Sequence, residues 1–392
     1  MIKFYLRQTV LFKIIDLPIL FSALLTKNQN TTNLVEKEIL KITKTKHLVL
    51  ADSMRSVLLK SLEFFKIKNP EKNEILLPEY SFHSNLSSAI KAGFKIKFIP
   101  VNKKTLLIES EQLEKLITRK TMGIIITHVH GKIYDLENIK NIINKHNLII
   151  FEDCAHVFPL QELALTDKKL NDSAIKCLSF GPGKFVTAFG GGGLATNNQA
   201  LFKYVKSHTV KNESFTKKIN IFIKACIYAL ISNPVVAYFS MKPMLALSYL
   251  FGFKKNEADA FDQSTYKPNQ ISALSEFQQK IILLQLKKLN KNLTKNILQR
   301  KSIAKKWFSL LKTEKLNKEF CFQFPILINH KDRFIWKMWH QNIDVQKDYC
   351  TYLPSLMKKQ SFSQKDANFF QKIVYLPTNQ HLSTKQIEKI KI

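Results

Sequence analysis

From residue 46 onward, short apolar runs alternate with stretches whose apolar residues recur every three or four positions. HLVLADS (47–53) reads as a buried-type strand ending in turn residues, and a helix follows near Ser53 with Val57, Leu58, Leu62 and Phe65 on its apolar face. EILLPEY (74–80) predicts the next strand, and a helix from Ser84 stops at Gly93. KIKFIP (95–100) and GIIITHVHG (123–131) are strands, and Leu136, Ile139, Ile142 and Ile143 mark a helical face before LIIFEDCAH (148–156). KCLSF (176–180) and GGLATNN (192–198) close the series. Strands that are apolar on both faces and separated by helices predict an α/β domain, its mostly parallel sheet covered by helices on both sides.

The flanking regions follow other patterns. Residues 1–45 begin MIKFYLRQTVLFKIIDLPILFSALL, which looks like a signal peptide until Lys13 and Asp16 interrupt it; no small-residue cleavage site follows. It is expected to stay on the protein as an amphipathic segment. The stretch 219–253 is strongly apolar, yet its longest uncharged run, Ala225 to Met241, has 17 residues with Pro234 inside. A spanning helix needs about 20. Two apolar helices broken at Pro234 and Pro243 are expected, forming a surface for a membrane or a partner, or else buried within the protein or at a dimer interface. From Ser272 a helical pattern runs to about Lys312 through Leu283, Leu286, Leu289 and Leu293. FCFQFPILI (320–328) and KIVYLP (372–377) then alternate with helices as in a smaller α+β domain. The expected division is 1–45, 46–265 and 266–392.

Charge narrows the function classes. The chain has 392 residues and a formal charge of +31, from 61 basic and 30 acidic side chains. Only five of the basic residues are arginine, the side chain suited to bidentate contacts with guanine or phosphate, and the lysines are dispersed. No nucleic-acid partner is expected on that basis; an acidic partner, such as a phosphorylated substrate or a lipid surface, is compatible. Five separated cysteines without a CxxC pair support neither a zinc site nor a disulfide framework, so a cytoplasmic location is the default.

One glycine cluster stands out. Six of the ten glycines lie in SFGPGKFVTAFGGGG (179–193), and Lys184 is the one lysine among them. Thirty-one residues upstream, an apolar strand ends at Glu152-Asp153. Ligands of open parallel sheets bind at the carboxyl ends of strands. A lysine and a carboxylate at two such ends are what pyridoxal phosphate requires: the amine bonds to the cofactor, and the acid keeps its ring nitrogen protonated. The helix from Ser53 offers backbone N–H groups for a phosphate, and Phe82 is placed to stack on a ring. His128 and His130 (HVH) suggest a metal pair, but no carboxylate or cysteine is expected beside them, and Cys154 reads as a small buried hydrophobe. No metal site is expected.

These residues resemble the DegT/DnrJ/EryC1/StrS group of sugar aminotransferases, which belong to the fold-type I pyridoxal phosphate enzymes. FEDCAH (151–156) and SFGPGK (179–184) carry most of the likeness, supported by PEYSFH (78–83), THVHG (127–131), SEFQQKIILLQLKKL (275–289) and LPT (376–378), over roughly residues 45–385. The resemblance implies Lys184 as the Schiff-base lysine and acid/base for the proton shift, Asp153 against the pyridine nitrogen, and His156 near the phenolic oxygen. It also implies Ser179 and the Ser53–Met54 backbone around the phosphate, with Phe82 stacked on the ring. The implied reaction takes an amino group, typically from glutamate, to a keto carbon of a nucleotide-linked deoxysugar, in a homodimer that shares its sites. Two positions depart from the family pattern: Ser53-Met54 stands where Gly-Thr is usual, and Ala273 where an arginine often stands, with Lys267 or Asn269 as candidate substitutes. Related sugar dehydratases typically carry histidine at the lysine position, so Lys184 argues against that activity. A diverged, membrane-associated family member without catalysis is the remaining alternative.

Overall fold

The computed structural model describes residues 3–7, 9–26, 30–160, 174–212, 214–250, 269–311, 316, 320–347, 349–357, 361–379 and 381–390. In chain order the first eight strands are β1 (His47–Ala51), β2 (Glu74–Pro78), β3 (Tyr80–Ser81), β4 (Lys95–Ile99), β5 (Thr121–Thr127), β6 (Ile149–Asp153), β7 (Ala174–Ser179) and β8 (Gly192–Thr196). β9 (Thr209–Val210), β10 (Ile271–Ser272), β11 (Gln323–Leu327), β12 (Gln346–Lys347), β13 (Thr351–Tyr352) and β14 (Ile373–Pro377) follow. The central sheet has seven strands in the order β1-β8-β7-β6-β5-β2-β4. β8 runs antiparallel to both β1 and β7, while β7, β6, β5, β2 and β4 are mutually parallel. Six strands therefore point the same way, and their C-terminal ends share one edge.

Helices cover both faces, as the doubly apolar strands require. They are α1 (Leu17–Leu25), α2 (Thr31–Thr43), α3 (Met54–Lys68), α4 (His83–Lys91), α5 (Ser110–Leu116), α6 (Lys140–His146), α7 (Gln199–Ser207), α8 (Phe215–Ile231), α9 (Pro234–Leu250), α10 (Glu276–Leu311), α11 (Lys331–His340), α12 (Gln364–Gln371) and α13 (Thr384–Glu388). Because side chains alternate along a strand, Ile75 and Leu77 of β2 pack toward α3, α4 and α7, while Leu76 packs toward α2, α10 and the C-terminal region. α3 starts where it does because Ser53 caps it, its Oγ accepting from Ser56 N at 3.1 Å. β11, β14 and β12 form an antiparallel sheet beside α11 and α12, and β13 pairs with β3, fastening the C-terminal region to the strand-end edge of the large sheet.

Several sequence expectations shift. β5 ends at Thr127 rather than 131, because His130 (φ 52) and Gly131 (φ 87) turn the chain; a Cβ at Gly131 would lie 2.6 Å from Cys321 Sγ and 2.7 Å from Phe322 N. Pro234 opens α9, where its missing N–H costs nothing, whereas Pro243 lies inside that helix and does not break it. The long helix begins at Glu276, Ser272 being part of β10. The expected domain boundary at 265–266, Lys267 and residues 251–253 lie outside the described residues.

Candidate active site

β6 delivers Asp153 to the strand-end edge. Its Oδ2 accepts from Asn85 Nδ2 at 2.7 Å and its Oδ1 from Ala155 N at 3.0 Å. Asn85, on α4, also donates to Ser81 Oγ at 3.1 Å, and Ser81 shares a hydrogen bond with Thr127 Oγ1. The carboxylate is 4% exposed and fixed from two sides.

β7 is the neighbour of β6, and the loop after it presents Lys184. That loop closes on the carbonyl of Phe180, which accepts from Ala188 N and Gly190 N, with Gly190 and Gly191 at φ 144 and 104. Such angles exclude most side chains. From α10, Gln285 Nε2 donates to Thr187 O and Gln278 Nε2 to Ala188 O, so a rigid helix holds the loop. Lys184 Nζ donates to Tyr349 Oη at 2.7 Å. Burial raises the Tyr349 phenol above its ordinary range, opposed by the charge of Lys184.

His156 lies on the same cluster, its ring centroid 5.0 Å from Tyr349 and stacked on Phe322 at 4.9 Å. The backbone N–H of His130 donates to His156 Nδ1 at 3.2 Å. Burial, and then the charges of Lys184 and His130, hold this imidazole well below the usual histidine range. A neutral ring whose Nδ1 accepts carries its proton on Nε2, a tautomer assigned from that bond.

The turn after β1 lies against the same edge. Ser53 bridges Gly191, and Ser179 stands opposite Gly192 in the β7–β8 register. A Cβ at Gly192 would lie 2.1 Å from Met54 N, so only glycine admits the start of α3 this close to β8. Met54 buries its side chain and offers the turn only its backbone. Phe82, half-buried, has its ring centroid 6.3 Å from that of Tyr349.

All seven expected residues thus sit at the strand-end edge of the sheet. Ala273 bridges Ala51 behind the turn, and Asn269 is exposed. The sequence reading missed Tyr349, Asn85 and the backbone amide of His130. None has a periodic signal, and each acts through a residue distant in the chain. One expectation is overturned: His128 does have acidic and sulfur neighbours. Its Nε2 lies 2.9 Å from Glu152 Oε2, and ligand atoms of His128, Glu152 and Cys154 fall within 4.8 Å of one another. β5 and β6 pair in register to Thr127 and Asp153, which the sequence does not reveal.

The fold, an open and mostly parallel sheet with a smaller C-terminal sheet leaning on its strand ends, is shared with a solved aminotransferase. The structure of Helicobacter pylori PseC, an aminotransferase involved in the biosynthesis of pseudoaminic acid, superposes with a TM-score of 0.70 at 18% identity, covering 99% of this chain and 97% of that one. The model of the DegT/DnrJ/EryC1/StrS aminotransferase family matches residues 18–391, and the chain belongs to that family. It is 30% identical over 162 residues to a 3-oxo-glucose-6-phosphate:glutamate aminotransferase of Bacillus subtilis, 38% of this chain and 35% of that protein. It is 27% identical over 203 residues to a UDP-4-amino-4,6-dideoxy-N-acetyl-beta-L-altrosamine transaminase of Helicobacter pylori, 51% of this chain and 53% of that one. The chain spans about a third of the length of most curated relatives it matches.

Pyridoxal phosphate, the cofactor of this family, fits the residues present. Beside the fixed Asp153 carboxylate and the Lys184 amine, Asn85 Oδ1 and both ring nitrogens of His130 are buried without a hydrogen-bond partner. Polar atoms left so in a core call for a ligand or a water.

Proposed function

We propose that this chain is a pyridoxal-phosphate-dependent aminotransferase that moves an amino group, from glutamate, to the keto carbon of a nucleotide-linked deoxysugar for amino-sugar or surface-polysaccharide synthesis. The observation that carries this reading is the delivery of Lys184 and Asp153, by adjacent parallel strands, to one cluster around Tyr349. The bound cofactor supplies an electron sink for the carbon that loses its proton. The Asp153 carboxylate, held by Asn85 and Ala155, keeps the ring nitrogen protonated. Lys184, whose amine is held by Tyr349, would anchor the cofactor and would serve as the base that moves the proton at the substrate carbon. His156 would sit near the phenolic oxygen, Phe82 would stack on the ring, and Ser179 with the Ser53–Met54 backbone would hold the phosphate at the start of α3.

The reading extends to a homodimer in the cytoplasm, with the stretch 219–253 in peripheral contact with a membrane. Among the described residues no single helix is long and apolar enough to cross one, and the α8–α9 pair is bent by 109°. The test of the catalytic reading is the visible absorption of the purified chain with added pyridoxal phosphate, beside Lys184→Ala. A band that glutamate bleaches and that the variant lacks is expected. A folded protein with no lysine-dependent band would refute the catalytic reading and leave the non-catalytic alternative.

A further inference from the structure

Exposed apolar side chains are not scattered over this molecule. Of the 17 large ones exposed among the described residues, 13 lie between Ile14 and Leu25 or on α8 and α9. On α8 the exposed stripe is Ile223, Ile227 and Leu230, at helical spacing, while Ala225 and Ala229 face inward. On α9, Val235 and Phe239 continue it, and beside α8 stands α1 with Phe21, 52% exposed, preceded by Ile15 at 81%.

The three helices are one unit. Phe21 and Phe222 have ring centroids 5.8 Å apart, and Leu20 of α1 packs in the same cluster as Ile221 and Ala225 of α8. Phe4 N donates to Pro234 O at 2.8 Å and Val10 N to Ser232 Oγ at 3.2 Å, so the N-terminal segment is hydrogen-bonded to the α8–α9 junction. Ala237 of α9 packs on Phe4 and Leu6.

Charge selects the occupant. α8 carries the exposed Lys217 and Lys224 and the half-buried Lys218, Lys242 of α9 donates to Asn342 Oδ1 at 2.6 Å, and neither helix contains a carboxylate. Between residues 9 and 26 the one acid is Asp16, buried and paired with Lys288. A second copy meeting this face through a two-fold axis would set the same lysines against one another. A bilayer surface bearing anionic headgroups accepts both the apolar side chains and the lysines. α8 is about 26 Å long at 1.5 Å per residue, and the bend to α9 rules out a straight crossing, so both helices suit the plane of the interface.

We infer that α1, α8 and α9 together form a face that docks on anionic lipid, with α1 as an integral part of it. This deepens the membrane contact proposed for 219–253 and is independent of the catalytic reading.

The full chain would be sedimented with vesicles of phosphatidylcholine alone and with added phosphatidylglycerol, at low and high salt. Binding to the phosphatidylglycerol vesicles, weakened by salt, is expected, each lysine at the surface contributing roughly fivefold. Ile19→Ser with Ile15→Ser, and separately Ile227→Ser with Phe239→Ser, change exposed positions, and each pair should weaken binding by roughly tenfold or more. If the α1 pair binds like the parent while the α8–α9 pair does not, the role of α1 is overturned and the contact through 219–253 stands. Equal binding to both vesicle types overturns the preference for anionic lipid. A folded parent that ignores all vesicles overturns the whole inference. So does a parent that doubles in mass without lipid and becomes monomeric on Phe239→Ser, because a second copy then covers the face.

Discussion

Replacing Gly192 by alanine tests the claim that only glycine there admits the start of α3 this close to β8. The added Cβ would lie 2.1 Å from Met54 N, 2.4 Å from Ser53 C and 2.5 Å from Met54 Cα. Ordinary carbon contacts lie near 3.5–4.0 Å, so the two segments must part by roughly 1 Å or more. All three neighbours are backbone, and no side chain can swing aside. Overpacking of this kind costs about 1–3 kcal/mol. The parting also strains the bond from Gly191 N to Asp52 O, worth about 1 kcal/mol. A total near 3 kcal/mol, against an unfolding entropy of about 0.8 kcal/mol/K for 392 residues, lowers the melting temperature by about 4 °C. Moving the first N–H groups of α3 should also weaken pyridoxal phosphate binding by roughly tenfold or more, given the strength of hydrogen bonds to a charged group. Gly193→Ala is the control, because its new Cβ would meet the end of the Leu50 side chain at 3.2 Å, which can move. Its cost should stay below about 1 kcal/mol. The assay pairs thermal melting with cofactor titration for both variants. Equal stability and equal cofactor affinity in the two would refute the reasoning.

Three further outcomes are expected. Tyr349→Phe removes the acceptor of the Lys184 hydrogen bond; such a bond to a charged group is worth about 1.5–3 kcal/mol. Single-turnover rates with glutamate should fall by roughly one to two orders of magnitude while the melting temperature changes little, and an unchanged rate would count against the role of Tyr349. Glu152→Ala strips the buried His128 of its 2.9 Å hydrogen-bond partner, and chemical denaturation should register a loss of about 1–3 kcal/mol; no measurable loss would mean that the pair is dispensable. Burial raises the Glu79 carboxyl from 4.5 to about 7 in the folded chain. The unfolded chain therefore releases this proton first, and the contribution of Glu79, full below 4.5, is lost as pH rises to about 7. Thermal melts across that window should fall less steeply with pH in Glu79→Gln than in the parent, and parallel curves would contradict this.

The sequence by itself determined the sheet and pointed to part of the candidate site. Ile75, Leu76 and Leu77 announce a strand buried on both faces, because successive side chains point to opposite sides and both must be apolar. Lys184 and Asp153 were legible for a related reason: each stands just past the end of an apolar run, where a parallel sheet presents its ligands, and the glycines around Lys184 mark backbone that must pack closely. Local rules reach no further than a few residues. They placed a break at Pro243, where packing keeps the helix continuous, and ran β5 to residue 131, where a turn against Cys321 and Phe322 ends it.

Everything that depends on which strands neighbour each other, or on where the C-terminal region comes to rest, was decided by the tertiary structure. Asn85 reaches Asp153 across 68 residues, and Tyr349 reaches Lys184 across 165. The β5–β6 register makes a buried pair of His128 and Glu152. The union of the N-terminal segment with α8 and α9 belongs to the same class. Composition made both stretches apolar, but only the fold could join them, because bonds such as Phe4 to Pro234 connect chain positions whose proximity no periodicity encodes.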